Sequence, residues 1–234
     1  MRKFSLVFAF LVLASFIFTV GAQQSAPTGR PRLRQPLPAE AFTTPTNYVL
    51  IVNHAGAVSD AWLTEQCEIM SKQLRVAFRH DSAEGAIGAD PRAFVASVRA
   101  RHEGKAKLVL VLSEEAGLTP MLTAPYELWT IMDAAWVKAG GGEEAVLNLR
   151  MGKRVFQALG HCVGAGYRAE REAVMRYTPT PEALDACLSH GFHPLNSNAF
   201  MIVQQAIGLD PVRLRPRQEL IDMGIIQPRV SATE

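Results

Sequence analysis

Cysteine is scarce: Cys67, Cys162 and Cys187 are the only three in 234 residues. That is too few for a disulfide-built scaffold, and their positions lack the paired spacing of a zinc ribbon. Cys187 and His190 stand at C-x-x-H spacing, with no second pair to complete a tetrahedral metal site. An excess of one charge is also missing. Lys and Arg total 24 against 22 Asp and Glu, a formal net charge of +2, whereas a dedicated nucleic-acid binder concentrates a basic excess. There is no internal repeat, and no G-x-S-x-G elbow to carry a serine nucleophile. The glycine run Gly140-Gly141-Gly142 precedes Glu143 and Glu144 where a P-loop needs Lys-Ser/Thr, and two carboxylates repel a phosphate. It reads as a flexible turn.

With 48% hydrophobic and 20% charged residues, the chain has the composition of a folded globular domain. Residues 1–22 read as an export signal. Arg2 and Lys3 form a short positive start, Leu6 to Val20 is apolar apart from Ser15 and Thr19, and Val20-Gly21-Ala22 supplies the small residues of a cleavage site. A retained membrane anchor is the other reading; the short apolar run and the small residues directly after it favour cleavage near Ala22. No cysteine adjoins that site to carry a lipid. Without Arg2 and Lys3 the mature chain holds 22 basic and 22 acidic residues and is formally neutral. The expected location is secreted or periplasmic, with no membrane span after cleavage and no nucleic-acid partner. Residues 23–46 carry Pro27, Pro31, Pro36, Pro38 and Pro45 among Arg30, Arg32 and Arg34, and read as a solvated linker.

The body alternates strands and helices. Tyr48–Asn53 is a buried strand by length and β-branching. Residues 60–78 form a helix, with Trp62, Gln66, Ile69, Met70 and Leu74 near one face. Asp90-Pro91 starts another, a capping acceptor followed by proline in the first turn, running to about His102. Lys107–Ser113 is apolar at every interior position, as a strand covered on both faces must be. Glu127–Val137, with Trp129, Ile131 and Trp136, is a third strand candidate, at an edge. A helix from about Glu144 follows the glycines, and 196–209 and 217–223 are helices closed by Gly208 and Gly224. This order implies an α/β layer with a mixed sheet.

The helix from Glu144 ends in Gln157-Ala158-Leu159-Gly160-His161-Cys162-Val163-Gly164-Ala165-Gly166-Tyr167. It resembles the zinc helix of the metzincin peptidases, whose pattern is H-E-x-x-H-x-x-G-x-x-H. With His161 on the second histidine, Gly164 falls on the glycine, Gln157 on the first histidine, Ala158 on the glutamate and Tyr167 on the third histidine. Archaemetzincins, a branch of that clan, continue with H-C-x4-C-x-M, a stretch like N-F-S-N-S-x-E-E-L-D, and later C-P-x-C. This chain resembles them in Tyr167-Arg168, then Ala173-Val174-Met175 at the same spacing, then Arg176 to Asp185. Further on, His193-Pro194-Leu195-Asn196 comes with about one extra residue before it. The resemblance spans residues 48–196, with specific motifs in the last third. It implies an α/β (α+β) metzincin-like domain over 47–196, its mixed, mostly parallel twisted sheet flanked by helices. Residues 197–234 would form a helical C-terminal appendage.

The same resemblance exposes what is missing. The family's two histidines on one helix face, a third after the glycine turn, and a glutamate as general base constitute a zinc peptidase site. Here His161 is the one surviving ligand type; Gln157 is neutral, Tyr167 offers a phenol and Ala158 accepts no proton. Loss of general-base help alone costs roughly 10²–10⁴ in rate. Arg168, Ala173, His193 and Asn196 stand where the family supplies a second, cysteine-built site. No zinc and no other cofactor is therefore expected, and Met175, the family's apolar floor beneath the metal, becomes core. The leading expectation is an exported archaemetzincin-like pseudopeptidase that binds a peptide or another protein ligand. The alternatives are a divergent hydrolase using His161 and a structural envelope protein. For His161 itself, an acid/base role and a buried hydrogen-bonded role both stand. Cys162 and Cys187 either pair or remain free thiols.

Overall fold

The computed structural model describes residues 37–115 and 117–227. The expected export signal and most of the expected proline-rich linker lie outside the described residues. Of that linker, residues 37–46 are held to the body. Ala39–Ala41 forms a 3-10 turn, Phe42 bridges Leu214, and Thr43 N–H donates to Arg213 O at 2.8 Å.

Five strands form one sheet in the order β2-β1-β3-β5-β4. β1 (Tyr48–His54), β2 (Phe78–Ala83), β3 (Ala106–Ser113) and β5 (Trp129–Asp133) run parallel, and β4 (Met121–Ala124) closes one side antiparallel to β5. The sheet is thus mixed and mostly parallel. β1 is buried at all seven positions because both of its faces are covered. Val49 and Ile51, with Leu108, Leu110 and Leu112 of β3, pack on α1 (Asp60–Leu74), α4 (Glu144–Cys162) and α5 (Pro194–Ala206). Leu50 and Val52, with Val109 and Val111, pack on Val95 and Val98 of α2 (Pro91–Arg101). Asp90 caps α2 by accepting the Ala93 N–H at 3.0 Å, and Pro91 opens its first turn.

Two expectations of secondary structure change. The helix from Asp60 stops at Leu74, where Arg75 takes a left-handed φ of 56°, and Phe78 begins β2 instead of ending the helix. β2 was not legible because Phe-Arg-His-Asp-Ser-Ala carries the polar surface of an edge strand. The segment Glu127–Val137 is not one edge strand. Trp129–Asp133 lies between β3 and β4, and Asp133 then caps α3 (Ala134–Ala139) by accepting the Ala135 N–H at 2.8 Å, so Trp136 is helical. Direct passage from strand to cap, with no glycine or proline between, is why the apolar run looked continuous.

At the C-terminal side, α5 spans the 196/197 boundary drawn from sequence, and its Phe200 belongs to the core beneath α4. The short α6 (Arg217–Asp222) follows. Among the described residues no helix is long and apolar enough to cross a membrane.

Candidate functional site

Every residue of α4 from Lys153 to Gly160 is buried, although Lys153 and Arg154 are basic. The helix ends at a Schellman turn: Gly164 takes φ +71°, Ala165 N–H donates to Gly160 O at 2.8 Å, and Gly164 N–H to His161 O at 3.0 Å. This turn reverses the chain and sets Tyr167 against His161, ring centroids 4.8 Å apart and edge to face. Tyr167 in turn meets Tyr177 at 5.6 Å. Both tyrosines are more than half exposed, so they form an open aromatic wall beside a half-buried imidazole. Burial, and after it the charge of Arg154, hold the His161 pKa below its ordinary value.

Gln157 is enclosed and fully engaged. Its amide nitrogen donates to Val174 O at 2.9 Å, Arg176 O at 3.1 Å and Thr178 Oγ1 at 3.2 Å. Its carbonyl oxygen accepts from Nη1 of Arg154 at 2.9 Å. A side chain with both a donor and an acceptor thereby stitches α4 to the segment carrying Met175, and histidine could not make this set. Met175 is fully buried in the core, its Sδ and Cε lying against the bare Cα of Gly160. Ala158 is equally buried, its carbonyl accepting from Thr130 Oγ1 at 3.3 Å.

Arg154 is the residue that sequence reasoning missed. Its guanidinium is stacked on Trp136 at 4.4 Å and bonded to Gln157 Oε1 and, at 3.1 Å, to Pro120 O, while Nε finds no partner among the described residues. Desolvation lowers its pKa to about 10, so it stays charged at neutral pH. The signal was available: Arg150, Lys153 and Arg154 sit inside an otherwise apolar helix stretch. Two of the three are tied to the 3-10 turn Pro181–Ala186. Arg150 grips both oxygens of Asp185, and Lys153 Nζ donates to Leu184 O at 2.9 Å.

The four positions of the second site have taken other work. Arg168 pairs with Glu170, Ala173 is buried, His193 caps α5 by accepting the Leu195 N–H at 3.4 Å, and Asn196 donates to Gly166 O at 3.3 Å. All three cysteines are buried and unpaired, so Cys162 and Cys187 form no disulfide. Among the described residues, no three His, Cys, Asp or Glu side chains are grouped for a metal. The donor set at α4 does not fit zinc on its chemistry: one imidazole, an amide already spent on four partners, and a guanidinium whose charge repels a cation.

A Ser-His pair does occur elsewhere, at the carboxyl ends of β3 and β1. Ser113 Oγ meets His54 Nδ1 at 2.8 Å, with Glu115 4.0 Å from Nε2. Ser113 is fully buried and also accepts the Glu115 N–H, while Nε2 faces Gly85 O at 2.5 Å. This network fastens loops and presents no nucleophile.

The fold has solved counterparts. The crystal structure of archaemetzincin from Methanopyrus kandleri matches with a TM-score of 0.55 at 16% identity, over 73% of this chain and 99% of that one. A zinc-dependent peptidase from Methanocorpusculum labreanum matches with a TM-score of 0.52 at 15% identity, over 64% of this chain and 98% of that one. No protein-family profile and no curated protein matches the sequence. At these identities the likeness is one of fold.

Proposed function

We propose that this chain is an exported, non-catalytic peptide-binding protein built on the scaffold of a zinc peptidase. The observation that carries the reading is the bond between Arg154 Nη1 and Gln157 Oε1. It puts a fixed positive charge on the helix face where the resemblance places a metal, and it spends the side chain that replaces the first histidine. With Ala158 in the glutamate position, no carboxylate stands ready to activate water there.

What remains is suited to holding an extended chain. β4 is the last strand of the sheet, and its free edge can pair with a peptide backbone. The exposed rings of Tyr167 and Tyr177 supply apolar contact area at low entropic cost.

Metal content and turnover test the reading together. The purified mature protein is expected to hold far less than one zinc per chain after dialysis and to leave a peptide library uncut. Stoichiometric zinc that disappears in His161→Ala, or library turnover abolished by the same change, overturns it.

A further inference from the structure

Segments from near both ends of the described chain meet beside α1. Thr43 N–H donates to Arg213 O, Arg213 N–H donates to Thr43 Oγ1 at 3.0 Å, and Arg215 N–H donates to Ala41 O at 2.9 Å. Residues 37–45 and 211–215 thereby form one wall, anchored to the body where Val212 N–H donates to Arg75 O at 2.7 Å. Between this wall, α1 and the edge strand β2 lies an open cleft of about 1250 Å³. Small-molecule sites ordinarily hold roughly 300–1,000 Å³, so the cleft has room for an extended ligand. Its buried lining includes Cys67 and Phe78. Leu37, Phe42 and Leu214 also line it, and each is more than a third exposed, a cluster of large apolar side chains left open to water.

The polar groups around the cleft fall into two sets. Thr43, Thr64 and Ser71 are spent within the protein. Thr43 Oγ1 accepts the Arg213 N–H, Thr64 Oγ1 donates to Asp60 O at 2.9 Å, and Ser71 Oγ accepts the Phe78 N–H at 3.1 Å. A ligand section lying against them gains most when it asks for no hydrogen bonds of its own. The second set is cationic. Lys72 is paired with Glu68 at 3.2 Å, whereas Arg75 and Arg213 meet no carboxylate among the described residues. The bond from Val212 to Arg75 makes these two arginines neighbours. Residues 1–36 carry five basic residues and no Asp or Glu, so the chain's own N-terminal segment does not supply the missing charge.

We propose that this cleft binds a fatty carboxylate, its head group held by Arg75 and Arg213 and its alkyl tail laid along Phe42, Phe78 and Leu214. A guanidinium matches a carboxylate in shape and charge, and such charge-assisted pairs are the strong hydrogen bonds of recognition sites. The tail takes the exposed apolar side chains out of water, and every methylene buried with them adds to affinity. The cleft borders β2 at one end of the sheet, whereas α4 lies against β4 and β5 at the other, so the inference stands apart from the peptide-binding reading.

The probes are decanoate, decan-1-ol and hexanoate, each kept monomeric and titrated into the purified mature protein by calorimetry. Decanoate is expected to bind once per chain, roughly 10- to 100-fold more tightly than decanol, the range spanned by a charged hydrogen bond. It should exceed hexanoate by roughly 100-fold, the worth of four buried methylenes. The double variant Arg75→Gln, Arg213→Gln should lose the preference for acid over alcohol and still bind decanol. Phe42→Ser with Leu214→Ser should weaken both. In the unaltered protein, ¹⁵N NMR should show decanoate shifting the amides of Thr43, Ser71 and Arg213 while those of residues 159–164 stay in place, a readout that needs no variant. Equal affinity of acid and alcohol, no gain with chain length, a preference that survives the double Gln change, or shifts confined to residues 159–164 overturns the proposal. So does sedimentation with phosphatidylglycerol vesicles in the absence of any heat from monomeric decanoate, which would make the cleft a membrane contact. Zinc content and peptide turnover are untouched by every one of these results, so the two readings fail separately.

Discussion

Arg150 holds Asp185 through both carboxylate oxygens, Nε at 2.8 Å and Nη2 at 2.6 Å. The pair clamps α4 to the 3-10 turn that follows the Met175 segment, and Arg150 also reaches Gly141 O at 2.7 Å. Asp185 closes the stretch over which the sequence follows the archaemetzincin pattern, so a position without catalytic duty is explained by this clamp.

Asp185→Asn removes the charge and leaves a buried guanidinium half-satisfied. The expected loss is roughly 1.5–3 kcal/mol, below that of a fully buried pair because Asp185 is half exposed. Urea denaturation of the two proteins measures it. Arg150 holds the Asp185 carboxyl below its ordinary range, so its share of stability is complete above the unfolded-state pKa near 4. That share is lost as pH falls through the lower folded value, and the variant should show a flatter acid limb.

Gln157→Leu keeps the volume and discards every bond. Val174 O and Arg176 O lose their donor and Arg154 loses an acceptor, for an expected cost of roughly 2–4 kcal/mol. Tyr167→Phe, at an exposed ring, should stay within about 0.5 kcal/mol of the parent. Thermal melts of the two variants side by side check the contrast.

The imidazole of His161 should titrate below the ordinary histidine value near 6.5. A depressed folded-state pKa means that the unfolded chain binds the proton more readily. His161 therefore supports the fold fully above about pH 6.5 and progressively less as pH falls toward the folded value. A proton NMR titration reads this directly, and in Arg154→Gln the value should rise, since one of the two causes of the depression has gone.

Cys67 and Cys162 are pushed up to about 12 by burial, which leaves almost no thiolate at neutral pH. Neither should react with iodoacetamide in the native protein, and both should be alkylated in urea. Intact-mass spectrometry before and after denaturation decides it; rapid native labelling would contradict the burial.

Much of the frame was legible in the chain. β1 and β3 announce themselves because strands covered on both faces must be continuously apolar, and α2 because aspartate and proline mark its first turn. β2 and β4 stand at the two ends of the sheet, where polar side chains and shortness erase the pattern. At the site, the spacing from Gln157 to Asp185 named positions, and what each side chain bonds to there was not readable from it. A resemblance reports which chemistry has left a position; the partners that took it over come from other segments. Gln157 is explained by carbonyls seventeen and nineteen residues away, and Arg154 by Pro120 on a loop of a different layer.

A metal centre must be loaded, and it can be emptied by a chelator or filled with the wrong ion. The guanidinium of Arg154 comes with the polypeptide. The positive charge on α4 is present as soon as the helix packs on Trp136, whatever the surrounding supply of zinc, and chelation cannot strip it. A protein working outside the cell on this principle would have exchanged reactivity for independence from its ionic surroundings.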